Sequence, residues 1–238
     1  MKRGIRIGAI VLVFGVFVAL AIYNSLNPGP KVAGVWNDAM TIGNKETAKH
    51  HFIMYTDIFC PYCDKFSNAV TANWDDFNKK YIEDENILFE IRVTDINYLS
   101  GHSNNSLPAA EGAYCAAKQE KFWDYYHAIL AKLYEDYHSQ GIGVDRTSPR
   151  IPDLETDYFT DAANRGGLDY DSFATCMQNH ETKDEVEKNT NRATNIISSG
   201  VPFFVFDKFS YNGFAGDWDA MEDYKNVELL MKAGLKTK

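Results

Sequence analysis

The sequence predicts an α/β domain in which a central mixed sheet carries a helical insertion in one connection. Three observations carry this. A strand, a helix and a second strand follow one another over residues 51–94; a block of helical patterns fills about 104–195; two short apolar strands and a helix close the chain.

The first strand is "HFIMYTDIF" (51–59), rich in β-branched and aromatic residues. It runs into "CPYCDKFSNAVTANWDDFNKKY" (60–81). There Phe66, Val70, Trp74, Phe77 and Tyr81 recur at three- and four-residue steps, the spacing of an amphipathic helix. "NILFEIRVT" (86–94) alternates as a second strand, so the unit is βαβ with parallel strands. After the loop "NYLSGHSNNSLP" comes a long helical stretch, "AAEGAYCAAKQEKFWDYYHAILAKLYED" (109–136), with Ser106 as expected N-cap and Pro108 in the first turn. "DLETDYFTDAANRGG" and "DYDSFATCMQN" read as short helices, and "TKDEVEKNTNRATNIISSG" as another that ends on Gly200 as C-cap. "VPFFVFD" (201–207) is a short strand with "FSYNGFAG" as its hairpin partner. "DWDAMEDYKNVELLMKAG" is the last helix, capped by Asp217.

The first residues differ in kind. Lys2, Arg3 and Arg6 precede an unbroken apolar run, Ile7 to Tyr23, and no charge follows until Lys31. Basic residues stay on the cytoplasmic side, so the rest of the chain is expected across a membrane. The run just suffices to span, which makes residues 1–25 a signal anchor; the alternative is a signal peptide cleaved after "ALA" at Ala19–Ala21. Residues 26–40, with Pro28, Gly29 and Pro30, read as a linker to a domain over 41–238.

With 238 residues and a net charge of −9, the chain has no clustered Lys and Arg for a nucleic-acid face. Four cysteines in an oxidising compartment are compatible with two disulfides. Cys60 and Cys63 form C-P-Y-C where the strand ends and the helix begins. Zinc would need two more ligands at similar spacing, and Cys115 and Cys176 stand alone, so no metal is expected. A structural disulfide across so short a loop gains little chain entropy. A redox centre fits better. Cys60 at a helix N-terminus is expected to favour the thiolate, a nucleophile and a good leaving group. Pro61 suits the first helical turn, and Cys63 lies one turn further in. Cys115 and Cys176, in separate helices, are expected to pair; the alternative is two buried reduced thiols. His127 and His138 have no ligand-type neighbours in sequence and are assigned no role. The aromatics of "FWDYYHAILAKLY" are expected mainly in the insertion's core, with some surfacing near the site.

With "FCPYC", "CAAKQEKFWDYYHAIL" and "GVPFFVF" taken together, the chain resembles the thioredoxin superfamily, and within it the DsbA-like exported thiol–disulfide oxidoreductases, over roughly Met40 to Lys238. That resemblance implies a thioredoxin-like fold and protein disulfide exchange without a bound cofactor. Cys60 would be the exposed attacking cysteine and Cys63 the buried resolving one. Pro202 would be a cis-proline facing them, and Val201 with it would offer backbone to an extended substrate, beside Pro61 and Tyr62 of the motif. Partners implied are thiol-containing exported proteins and a membrane redox partner, a quinone-linked reoxidase. The Cys115–Cys176 pair would be structural. Two departures stand out. Met54 occupies the position where many relatives carry a buried acid, and Asp57 is expected on the opposite face from it. Tyr62 stands where strongly oxidising members have His, which predicts a less oxidising couple. The same C-P-Y-C occurs in reducing and isomerising relatives.

Overall fold

A computed structural model describes residues 34–99, 103–145, 147–197, 200–212 and 219–236. The apolar run expected to act as an anchor and the Asp217 cap lie outside them. Among the described residues, no helix is long and apolar enough to cross a membrane.

Strand β1 (Thr41–Ile42) is followed by β2 (His50–Thr56), helix α1 (Pro61–Ala72), a short helical turn (Trp74–Phe77), a π-helical stretch (Asn78–Asp84) and β3 (Ile87–Val93). The helical block contains α2 (Ser106–Lys118), α3 (Phe122–Asp136), α4 (Thr156–Arg165), α5 (Tyr170–Gln178) and α6 (Lys183–Thr194). Strands β4 (Phe203–Phe206) and β5 (Phe209–Asn212) and helix α7 (Tyr224–Lys236) follow. The sheet order is β1-β3-β2-β4-β5, with β2 and β3 parallel and the other pairs antiparallel. This is the mixed sheet with a helical insertion that the sequence predicts.

The core sits on both faces of β2 and β3, whose described residues from Phe52 onward are buried. Phe52 stacks on Phe89 and Phe204 at centroid distances of 5.4 and 5.7 Å, which joins the three central strands through one aromatic column. Gly234 in α7 has a packing reason to be small: a Cβ there would run into the Phe206 ring.

Several local expectations are corrected. The first helix is interrupted at Asn73, whose side chain donates to the Ala69 carbonyl (2.9 Å). The long stretch from 109 to 136 is two helices, because Glu120 turns to φ +58° and the Glu120 and Lys121 N–H groups close back on Ala117 and Ala116. The α2 cap is Asn105, and Ser106 is the first helical residue, its hydroxyl instead donating to Asp57 Oδ1 (2.8 Å). Helix α6 stops at Asn195, short of Gly200.

Residues 36–40, at the end of the expected linker, are packed into the fold. Met40 is buried and the Trp36 N–H donates to Glu90 Oε1 (2.8 Å). Glu90 and Arg92 lie two residues apart on β3 and therefore share a face. Both are fully buried. Arg92 Nε and Nη2 grip the Glu90 carboxylate at 2.9 and 2.8 Å, Nη1 donates to the Tyr55 hydroxyl (2.9 Å), and a further bond goes to the Gly34 carbonyl. The guanidinium lies 4.4 Å from the Trp36 ring, and His51 Nε2 is 2.8 Å from Glu90 Oε2. Burial alone would raise the Glu90 pKa, but His51, Arg92 and the Trp36 N–H outweigh it and hold the carboxyl below its usual range.

Cys115 and Cys176 are bonded, joining α2 to α5 across a separation of 61 residues. Chain entropy puts the value of such a crosslink at about 4 kcal/mol. A Cys115→Ser/Cys176→Ser double variant is therefore expected to lose stability on that scale in denaturant unfolding.

Candidate active site

The site forms where β2 ends. Ile58 and Phe59 make a turn in which the Cys60 N–H donates to the Asp57 carbonyl (3.0 Å). Cys60 caps α1 with an extended backbone (φ −94°, ψ 113°), and its carbonyl accepts the N–H groups of Cys63 (3.0 Å) and Asp64 (3.2 Å). Pro61 takes the first helical position, where an N–H would have had no partner. Strand β4 brings in the second half from 141 residues away. The Val201–Pro202 bond is cis, and the Cys60 thiol donates to the Val201 carbonyl at 3.3 Å. Cys60, Pro61, Tyr62, Cys63, Val201 and Pro202 therefore converge, while Cys115 and Cys176 sit in the helical block.

Both motif cysteines are buried. Cys60 is 5% exposed, which corrects the expectation of an exposed thiol: its sulfur is turned onto the Val201 carbonyl. Cys63 is 1% exposed. Burial pushes the Cys63 thiol well above the ordinary range, and its hydrogen bond to Cys60 and the charge there add to this. The Thr56 hydroxyl and the Asp57 N–H pull it partly back.

Met54 is fully buried within β2 and offers no acid. The Asp57 carboxylate does not replace it. Oδ1 accepts from the Phe59 N–H (2.9 Å) and Ser106 Oγ (2.8 Å), and Oδ2 from the Asn97 N–H (2.9 Å), so Asp57 ties the active-site turn to the helical block. Burial raises its pKa to about 6 against the opposing pull of these three donors, with Asp95 adding to the rise. A raised carboxyl binds its proton more tightly in the folded state, so its contribution favours folding at low pH and is lost as pH rises from the unfolded value of 3.8 through about 6. Asp57→Asn is expected to flatten that part of a stability profile measured by denaturant unfolding between pH 4 and 7.

Sequence reading missed a pair beside the motif. His138 Nδ1 lies 3.1 Å from Asp64 Oδ2, and both side chains are 8% exposed. They line a groove of about 710 Å³ that also takes in Pro61, Tyr62, Lys65 and Tyr134. Tyr134 is the aromatic of α3 that surfaces there, at 56% exposure, whereas Phe122, Tyr125 and Tyr126 are core. The only local signal for the pair was an acid directly after the second cysteine; nothing in the sequence brings residue 138 to it. Among the described residues, no group of three or more His, Cys, Asp or Glu side chains is arranged to hold a metal.

The model of the family described as thioredoxin matches residues 37–223. The chain belongs to the thioredoxin family. Among solved structures of similar fold are BdbD from Bacillus subtilis (TM-score 0.58, 16% identity, covering 83% of this chain and 92% of that one) and DsbA of Chlamydia trachomatis (0.55, 13%, 85% and 96%). MdbA, a thiol–disulfide oxidoreductase from Corynebacterium diphtheriae, is a third (0.55, 18%, 87% and 98%). No curated protein sequence matches significantly. This thioredoxin-family chain thus has a DsbA-like architecture, with the helical block inserted between β3 and β4 of the family's sheet.

Proposed function

We propose that the chain is an exported, membrane-tethered thiol–disulfide oxidoreductase that introduces disulfides into secreted or cell-envelope proteins through Cys60 and Cys63. The observation that carries this is the convergence of Cys60, at the start of α1, with the Val201 carbonyl at 3.3 Å. In the oxidised enzyme a substrate thiolate attacks Cys60 Sγ. The Cys60–Cys63 bond breaks, and its electron pair and a proton go to Cys63. A second substrate thiolate then attacks the substrate sulfur of the mixed disulfide and releases Cys60 as thiolate. The substrate loses two electrons, the cysteine pair gains them, and a quinone-linked membrane partner takes them away. Val201 and Pro202 would hold an extended substrate by its backbone, with Pro61 and Tyr62 beside it.

Residues 1–25 are the proposed anchor, on the strength of Lys2, Arg3 and Arg6 before the Ile7–Tyr23 run, with the domain on the far side of the membrane. Retention of the full-length chain in membranes washed at high pH supports the anchor; release of a shortened chain overturns it.

Direction is a separate matter. Tyr62 favours a second reading, in which a membrane reductant keeps the pair reduced and the enzyme reduces or isomerises disulfides. The reduction potential of the Cys60–Cys63 couple decides. A value near that of thioredoxin, about −270 mV, overturns the oxidant reading. A Cys63→Ala variant, expected to accumulate mixed disulfides on Cys60, tests the chemistry itself and identifies the substrates.

A further inference from the structure

The chain enters the domain at a fixed place. Strand β1 runs antiparallel to β3, with Thr41 opposite Glu90 and Ile42 opposite Phe89, so traced back from Thr41 the chain heads for the C-terminal end of β3. It is pinned there. The Trp36 N–H donates to Glu90 Oε1 (2.8 Å), and the indole lies 4.4 Å from the Arg92 guanidinium and 5.5 Å from the Tyr55 ring. The Gly34 carbonyl accepts from Arg92 Nη2, and Arg192 of α6 lies 5.7 Å from the Trp36 ring. Arg92 pairs with Tyr55 in the parallel register of β2 and β3, one position before β2 ends, and from that end the chain turns through 57–59 into Cys60. The entering segment and the cysteine pair therefore share one end of the sheet. The opposite end carries the β4–β5 turn, where the Asp207 N–H donates to the His51 carbonyl (2.9 Å). A buried ion pair adds little net stability, and its best-attested use is to fix a register. The Glu90–Arg92 pair fixes where residues 34–36 rest on the sheet.

We propose that this clamp holds the domain with its Cys60 end toward the membrane, so that the cysteine pair faces a redox partner embedded there. The inference rests on residues 1–25 being the anchor, as in the reading above. Only residues 24–33 separate the apolar run from Gly34. A segment of that length reaches at most about 35 Å when extended and spans about 16–19 Å as a flexible coil. A domain of roughly 200 residues is about 40 Å across. The tether is shorter than the body it carries, so the end it joins stays near the headgroups and the β4–β5 turn lies further out. A short tether also sets a high local concentration, on the order of millimolar, for a partner in the same bilayer.

The test uses the full chain in phosphatidylcholine vesicles with an acceptor dye on the headgroups, and reads energy transfer from a donor on a single thiol. Cys60→Ser/Cys63→Ser removes the motif thiols, and Cys115 and Cys176 are bonded. In that background Tyr62→Cys places the donor at the Cys60 end, and Lys208→Cys, in the exposed β4–β5 turn, places it at the other. The Tyr62 probe is expected to read nearer the headgroups by up to about 20 Å, the rise of a strand as long as β2. Equal transfer from the two sites, or more from the Lys208 site, overturns the orientation and leaves the anchor standing. Trp36→Ala, which takes the ring from Arg92 and Tyr55, is expected to narrow the difference; a difference of the original size overturns the part assigned to the clamp. Should a probe variant fail to fold, Cys60 itself in Cys63→Ala and Lys49→Cys, at the far end, decide by the same criterion. A chain that does not stay with the vesicles overturns the anchor reading, and the orientation with it.

Discussion

Cys60→Ser is expected to abolish oxidation of a reduced, unfolded protein, with a loss of roughly 10³-fold or more, the scale seen when an enzyme loses its nucleophile. The substitution is close to isosteric. Cys60 caps α1 through its extended backbone and carbonyl, with no side-chain capping bond, so the helix keeps its start. The Cys60 sulfur donates to the Val201 carbonyl, and a serine hydroxyl can donate there as well. Fold and stability should therefore stay near the wild type while the chemistry goes, because a hydroxyl at this position is neither ionised near neutral pH nor able to form the S–S bond. Circular dichroism and unfolding would be measured beside turnover. If substrate oxidation survived, a chaperone-like module that binds chains through the groove next to Tyr134 would be the better reading.

Glu90→Ala is expected to cost about 3–5 kcal/mol, since removing one partner of a buried pair strands the other charge. Against the roughly 5–15 kcal/mol typical of a whole domain, that is about a fifth of the total or more. Arg92 would keep the Tyr55 hydroxyl and the Gly34 carbonyl but lose both carboxylate bonds, and the Trp36 N–H and His51 would lose theirs. The loss should appear as a lower denaturation midpoint at pH 7. It should also depend on pH. The Glu90 carboxyl is held below its ordinary 4.5, so its contribution is present above that value and lost as pH falls through the lower folded one. Wild type and variant should converge in acid; a constant difference down to pH 2 would contradict the assignment.

Local periodicity made much of this fold legible. Alternation in "NILFEIRVT" and the three-to-four spacing from Phe66 onward gave the βαβ unit because each records which face of one element is buried. Helix ends were harder. Gly166 and Gly167 mark the end of α4, where Gly167 adopts φ +70°. The same closure at Glu120 (+58°) and His180 (+50°) uses residues that carry no such signal, so the break between α2 and α3 was invisible. The motif cysteines were legible because their chemistry is concentrated in four residues. The Asp64–His138 pair was not, since it matters only through neighbours that the folded chain supplies. Glu90 and Arg92 read in sequence as the polar interruptions of a strand; only the return of Trp36 and Gly34 over them makes their burial affordable.

The sheet has two outer strands, and both are brief: β1 matches only Glu90 and Phe89, and β5 runs four residues. Under the proposed function the enzyme would repeatedly meet unfolded segments ready to add as a further strand. Short borders give such segments little backbone to zip along, which guards against fibre-like growth from the enzyme's own sheet. Under the proposed function, docking would fall instead to Val201, beside the sulfur and just ahead of β4, where a visiting chain meets backbone without extending the sheet from its border.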